Sequence, residues 1–224
     1  MKSKSSTLVG RLEPGFITIT GADEATDVSK LAKIDAEIGL LYTATPEGRR
    51  RYPSRDWIAA AVNILPRLSI HVCGSAARQQ LHEHQLQDLV FRAQRIQVNG
   101  MVTMVELQML CARYPDHTII TQHNLKNIGL ASSTIRNHAR LQDASGGAGV
   151  LAAKWEKNEA SRPFGFAGGL SPENLSDQLP QIMKVARAGW WVDMESSLRV
   201  DDTFSLDRAR AAVDSFHRIG NSVA

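Results

Sequence analysis

Pro163–Leu175 reads PFGFAGGLSPENL and sets out a strand, a turn and a helix start in thirteen residues. Pro163–Ala167 is an apolar run of a length that suits a buried strand. Gly168 and Gly169 have no Cβ, so the backbone can turn sharply there and bring its N–H groups close to a ligand. Ser171 stands as an N-cap and Pro172 at the first helical position, where its missing N–H is not needed. Glycine amides aimed at a helix N-terminus make a seat for an anion, because free donors and the positive end of the helix dipole coincide. The same letters also suit an ordinary strand-to-helix loop without a ligand.

The unit repeats along the chain. FITITG (Phe16–Gly21) predicts the first strand, and Asp27 caps a helix that runs to about Ala36. Further strands are predicted at Glu37–Ala44, Leu68–Gly74, Arg95–Gly100, Thr118–Asn124, Ala139–Ala144 and Gly189–Glu195. Helices are predicted at Arg55–Leu65, Ala76–Ala93, a Met- and Leu-rich stretch up to Tyr114, Ser132–His138, a short piece holding Trp155, and Leu206–Ile219. Eight alternations without a break in composition call for a parallel sheet with crossover helices, and eight favour closure. The expected fold is α/β, a single (β/α)8 TIM barrel over 16–224, behind a flexible N-terminal tail, 1–15. Reactive residues should then lie at the C-terminal ends of strands. Thr20, Asn99, His123, Asp143, Gly168, Gly169, Asp193 and Glu195 all fall there.

Composition leaves this room. A chain of 224 residues is somewhat shorter than the about 250 typical of such barrels, and two domains of about 110 would also fit. Hydrophobic content of 43% and charged content of 22% are those of an ordinary soluble protein. A net charge of +3, with its cations scattered, gives no reason to expect nucleic acid as a partner. Cys73 and Cys111 lack CxxC spacing, and His82-Glu83-His84 lacks HExxH spacing, so neither a disulfide scaffold nor a metal site is expected. The start MKSKSS has no apolar core of a signal peptide, and no run approaches the about eighteen residues of a membrane span. The expectation is a cytoplasmic protein without a membrane partner, monomer or homodimer.

Five stretches in order resemble phosphoribosylanthranilate isomerase, the barrel enzyme of tryptophan biosynthesis. Leu141–Gly149 (LQDASGGAG), with Trp155 behind it, is similar to the family's LLD, GGTG and FDW pattern, and FAGGLSPENL resembles its LAGGL and PENV. Weaker likenesses are IQVNG to IQLHG, RRRYPS to S-x-R-Y-V-S, and WVDMESS to VDVSSGVE. The resemblance implies an Amadori rearrangement, in which an aminoaldose phosphate opens and becomes an aminoketose. That chemistry needs a general acid at the ring oxygen, a base for the C2 proton and a distant grip on phosphate. It needs no cofactor and no metal.

Mapped onto this sequence, the resemblance makes Asp143 the acid, although a strand-end aspartate also serves as a loop cap. Thr20 stands where the family has its catalytic cysteine, and Thr18 replaces the lysine of the same motif. A hydroxyl has no accessible anion near pH 7, so the base must come from elsewhere or be an activated Thr20. Candidates are Cys73, His123 and the pair Asp193 and Glu195, which alternation aims at one side of the sheet. Gly168 and Gly169 match one half of the family's phosphate site, and Gly146, Gly147 and Gly149 match its glycine loop. In the other half Ser196 and Ser197 remain as hydroxyl donors, while Glu195 brings a negative charge that Arg199 could offset. Arg51 falls where the family grips the substrate's carboxylate, a task suited to a guanidinium, or it belongs to a solvated basic loop with Arg49 and Arg50. Asn99 replaces a histidine. Three functions follow: an isomerase of a phosphorylated aminosugar, a barrel of the same descent acting on another anionic metabolite through Asp193 or Glu195, or a binding protein that has lost the reaction.

Overall fold

The computed structural model describes residues 15–46, 48–158 and 162–223, so the expected tail, 1–15, lies outside the described residues except for Gly15. Its parallel strands are β1 (Phe16–Thr20), β2 (Glu37–Tyr42), β3 (Leu68–Val72), β4 (Arg95–Val98), β5 (Thr118–His123), β6 (His138–Gln142), β7 (Phe164–Phe166) and β8 (Trp191–Met194). They pair in sequence order and close, β8 on β1, into a barrel. The helices between them are α1 (Val28–Leu31), α2 (Arg55–Ile64), α3 (Ser75–His82), α4 (Gln87–Val90), α5 (Met104–Arg113), α6 (Leu175–Val185) and the closing α7 (Leu206–Val223). The expected (β/α)8 fold is the observed one. Among the described residues no helix is long and apolar enough to cross a membrane.

Side-chain alternation sorts each strand into two faces. Ile17, Ile19, Ile38, Leu40, Ile70 and Val72 point outward and join the helices in the main hydrophobic core. The inward face has a small apolar cluster of Ile120, Ala139, Leu141, Ala167 and Trp191, with Phe16 against it. Beside this cluster Arg95 Nε donates to both oxygens of Glu37 at 3.1 and 2.8 Å, and its Nη2 donates to Thr18 Oγ1 at 2.9 Å. The guanidinium lies 4.7 Å from the Phe16 ring centre and 4.3 Å from that of Trp191. A barrel normally filled by apolar layers thus carries a paired charge in its interior. Gly165 makes room for this filling, since a Cβ there would come within 2.2 Å of Trp191.

Several helices differ from expectation. The stretch 76–93 is broken, because the polar run His82–Gln85 offers no apolar side chain to bury and His84 takes a left-handed turn at φ 60°. No helix forms over Ser132–His138; a 3₁₀ turn at Leu125–Leu130 precedes it, capped by Asn124, whose Oδ1 accepts from Lys126 N at 3.0 Å. Trp155 is not helical either. The side chain of Gln142 holds that segment like a strand partner, donating to Lys154 O at 2.8 Å and accepting from Glu156 N at 2.9 Å. Ser171 and Asn174 exchange hydrogen bonds of 2.9 and 3.2 Å in a turn, so α6 starts at Leu175 and not beside Ser171. After β8 a two-stranded hairpin, β9 (Arg199–Val200) and β10 (Thr203–Phe204), turns through Asp201 and Asp202 at positive φ.

Candidate active site

The inward side chains at the C-terminal strand ends enclose one cavity, and Asp143, Gly168, Gly169, Asp193, Glu195 and Ser196 all line it. Gly147, Gly149 and Asn99 line it too, and so do His71, Gln97 and Gln122, which the sequence reading missed. The signal for these three was present: alternation from Asn99 and from Leu141–Asp143 puts Gln97 and the like-placed residues of neighbouring strands on the same face. Among the described residues Gly146 and Ser197 do not line it. Gly146 faces Asn124, and the Ser197 hydroxyl donates to Leu170 O at 2.7 Å.

Thr20 and Asp193 meet across the β1–β8 seam, where Thr20 Oγ1 donates to Asp193 Oδ1 at 2.7 Å. Burial pushes the Asp193 carboxyl up to about 7, against the Thr20 hydrogen bond, which lowers it, and with Glu195, which raises it further. Asp143 is also buried; its Oδ2 accepts from Gln122 Nε2 at 3.0 Å and its Oδ1 from Ser145 Oγ at 2.8 Å. The other candidate bases are elsewhere. His123 points out of the barrel, 2.9 Å from Glu156 Oε2 and edge-on to Phe164. Burial raises the Cys73 thiol to about 11, and its sulfur accepts from Asn99 Nδ2 at 3.1 Å. His71 is held neutral, its pKa pushed down to about 3 by burial and by Arg95.

On the anion side, Gly168 and Gly169 sit at positive φ, 93° and 64°, and are half-buried. No hydrogen bond runs from either N–H to another described residue. The segment Gly149–Leu151 lies over this turn: a Cβ on Gly169 would meet Leu151 N at 2.3 Å, and one on Gly149 would meet Ser196 Oγ at 2.8 Å. Thus the glycine loop after β6 closes on both halves of the expected cradle. The cavity volume is about 70 Å³, enough for a few water molecules.

Arg51 reaches the mouth from the β2–α2 loop, where its Nη1 lies 2.8 Å from Glu195 Oε1. Burial raises the Glu195 carboxyl, with Arg51 and then Arg199 pulling it down and Asp143 pushing it up. Arg199 is committed to structure: it pairs with Asp23 at 3.0 Å and Asp202 at 3.3 Å and donates to Gly21 O. These contacts hold it in place, and from there its charge favours the Glu195 anion after Arg51 does.

No family model matches the chain, and no curated protein matches it in sequence. Solved structures do. The phosphoribosyl anthranilate isomerase from Thermus thermophilus matches 91% of this chain over 99% of its own, at 16% identity and a TM-score of 0.61. That from Thermotoga maritima matches the same shares at 15% identity and a TM-score of 0.63. A phosphoribosyl anthranilate isomerase solved with reduced 1-(o-carboxyphenylamino)-1-deoxyribulose 5-phosphate gives 15% and 0.63. The resemblance first met in the motifs thus extends to the three-dimensional structure over most of the chain, and at these identities what it establishes is the shared barrel fold.

Proposed function

We propose that this barrel isomerises a phosphorylated aminosugar by an Amadori rearrangement, with Asp143 and Asp193 as its acid and base. The observation that carries the reading is the Thr20 to Asp193 hydrogen bond of 2.7 Å beside the cavity that Asp193 and Asp143 line. Thr20 cannot be the base, but it orients one. A carboxyl titrating at about 7 is half ionised at neutral pH and is matched to proton abstraction there. In the reaction Asp143 gives its proton to the ring oxygen as the C1–O bond breaks and the nitrogen lone pair forms C1=N. Asp193 then takes the C2 proton, leaving an enolamine that tautomerises to the aminoketose, with C1 reduced and C2 oxidised. The unpaired Gly168 and Gly169 amides, with Ser196 opposite, are the proposed grip on phosphate. A cytoplasmic location and a role in tryptophan biosynthesis remain with the resemblance.

The test is exchange of the C2 hydrogen with solvent deuterium, followed by NMR on N-(5-phosphoribosyl)anthranilate and on 5-phosphoribosylamine. Exchange with at least one, lost in Asp193→Asn and Asp143→Asn, is expected. No exchange with either overturns the reading. The small cavity and the engaged Arg51 favour a second reading, a phosphosugar-binding barrel without turnover, which would show binding and no exchange.

A further inference from the structure

The cavity divides by hydrogen-bonding sense. Its floor and wall carry Asp143, Asp193 and Glu195, and no Lys or Arg lines it among the described residues. The amide donors there are spent: Gln97 Nε2 on Asn99 Oδ1 at 2.9 Å, Asn99 Nδ2 on Cys73 Sγ and Gln122 Nε2 on Asp143 Oδ2. Gln97 is 4% exposed, and its Oε1 is buried with no donor. An orphaned buried acceptor is costly unless a ligand supplies the missing N–H or O–H. The free donors sit at the opposite end, on Gly168 and Gly169.

The guanidinium that would take a carboxylate is already occupied. Glu195 Oε1 stands 2.8 Å from Arg51 Nη1, where a substrate carboxylate would have to sit. A carboxylated substituent would displace one carboxylate with another and leave Glu195 beside Asp193 and Asp143 without its cation. A protonated amine would meet the opposite situation at this end of the cavity, with the Gln97 acceptor and the carboxylates of Asp143, Asp193 and Glu195.

We infer that the site takes a phosphosugar whose nitrogen is an unsubstituted amine, bound as its ammonium ion and passing one proton to a cavity carboxylate before its lone pair opens the ring, and that it rejects the N-carboxyphenyl group. This rests on the phosphosugar reading proposed above. Three ligands that differ only at C1 separate the ideas: 1-amino-1-deoxyribitol 5-phosphate, ribitol 5-phosphate and 1-(o-carboxyphenylamino)-1-deoxyribitol 5-phosphate. Calorimetric titration of the full chain should rank them in that order, with at least about tenfold between first and last, or about 1.4 kcal/mol. Glu195→Gln frees Arg51 and should tighten the carboxyphenylamino ligand about tenfold while weakening the amino one. Carboxyphenylamino binding as tight as amino binding in the unaltered protein overturns the inference, whether or not the variant folds. An unchanged ranking in folded Glu195→Gln overturns it too. If none of the three binds, ribitol 5-phosphate included, the phosphosugar reading itself fails, a result distinct from a wrong ranking.

Discussion

Replacing Asp193 by asparagine tests the electrostatics of the barrel mouth without needing a substrate. The carboxyl titrates at about 7 in the folded protein against an ordinary 3.8, because burial disfavours its anion. A carboxyl raised on folding stabilises the fold while it is protonated, and that stabilisation disappears as pH rises through the folded value. Between pH 5 and pH 8 the unfolded carboxyl is already ionised while the folded one loses its proton, so the contribution falls by about 2–3 kcal/mol. The amide of Asp193→Asn keeps an acceptor for Thr20 and has nothing to titrate. Urea unfolding of both proteins at half-unit pH steps gives the difference in stability, in which background titrations cancel. His71 and His138, held neutral with values pushed down to about 3 and about 4, contribute equally to both proteins and drop out. The variant should gain on the parent by about 2–3 kcal/mol from pH 5 to pH 8, with most of the gain below pH 7. A difference that stays flat across this range would refute the claim that burial raises the Asp193 carboxyl to about 7.

Four further outcomes follow from the same geometry. Thr20→Val removes a hydrogen bond that holds Asp193 down, so the acid limb of the pH–rate profile should move to higher pH, and stability at pH 8 should fall by about 1 kcal/mol in urea titration. Asp143→Asn should lower C2 exchange about 10²- to 10⁴-fold while ribitol 5-phosphate still binds by calorimetry. Gly169→Ala combines a left-handed φ of 64° with a Cβ 2.3 Å from Leu151 N, so it should cost about 1–3 kcal/mol and make the Ser145–Leu151 loop more sensitive to protease. Glu37→Gln leaves Arg95 charged inside the barrel without its anion and should destabilise by about 3–5 kcal/mol, read from the urea midpoint.

The alternation of elements was legible because each strand and each cap is a local feature. Asp27 caps α1 as read, although the helix stops at Leu31 and not near Ala36, and FITITG is β1 within one residue. The break at His84 was written in the polar run His82–Gln85 but passed over, whereas the missing helix at Ser132–His138 was not legible, because helical propensity there loses to turns held by contacts distant in sequence. Trp155 is another case: its segment is fixed by the Gln142 side chain and by its own Nε1 donating to Gln178 at 3.0 Å. In the site, strand-end position found Asp143, Asp193 and Glu195. It misplaced His123, since the last residue of a strand points in or out according to a frame that only closure sets. Glu195 shows the same limit in its charge: sequence made it an obstacle to phosphate, and only the folded chain put it against Arg51.

The paired charge inside the barrel explains why Asp193 can be tuned at all. Arg95 alone, buried in the barrel interior, would pull the Asp193 carboxyl down towards a permanent anion, and Glu37 alone would push it higher still. Their effects on Asp193 have opposite signs, and Arg95 is locked to Glu37 through both carboxylate oxygens and to the Phe16 and Trp191 rings. The pair therefore acts on Asp193 nearly as a neutral dipole, and burial is left as the leading influence, opposed first by a single hydroxyl hydrogen bond. A cysteine at position 20 would need no such arrangement, since it would carry the proton itself. On the reaction proposed above, threonine there leaves basicity to the facing strand, and an interior already neutralised below it allows a carboxylate to titrate near 7.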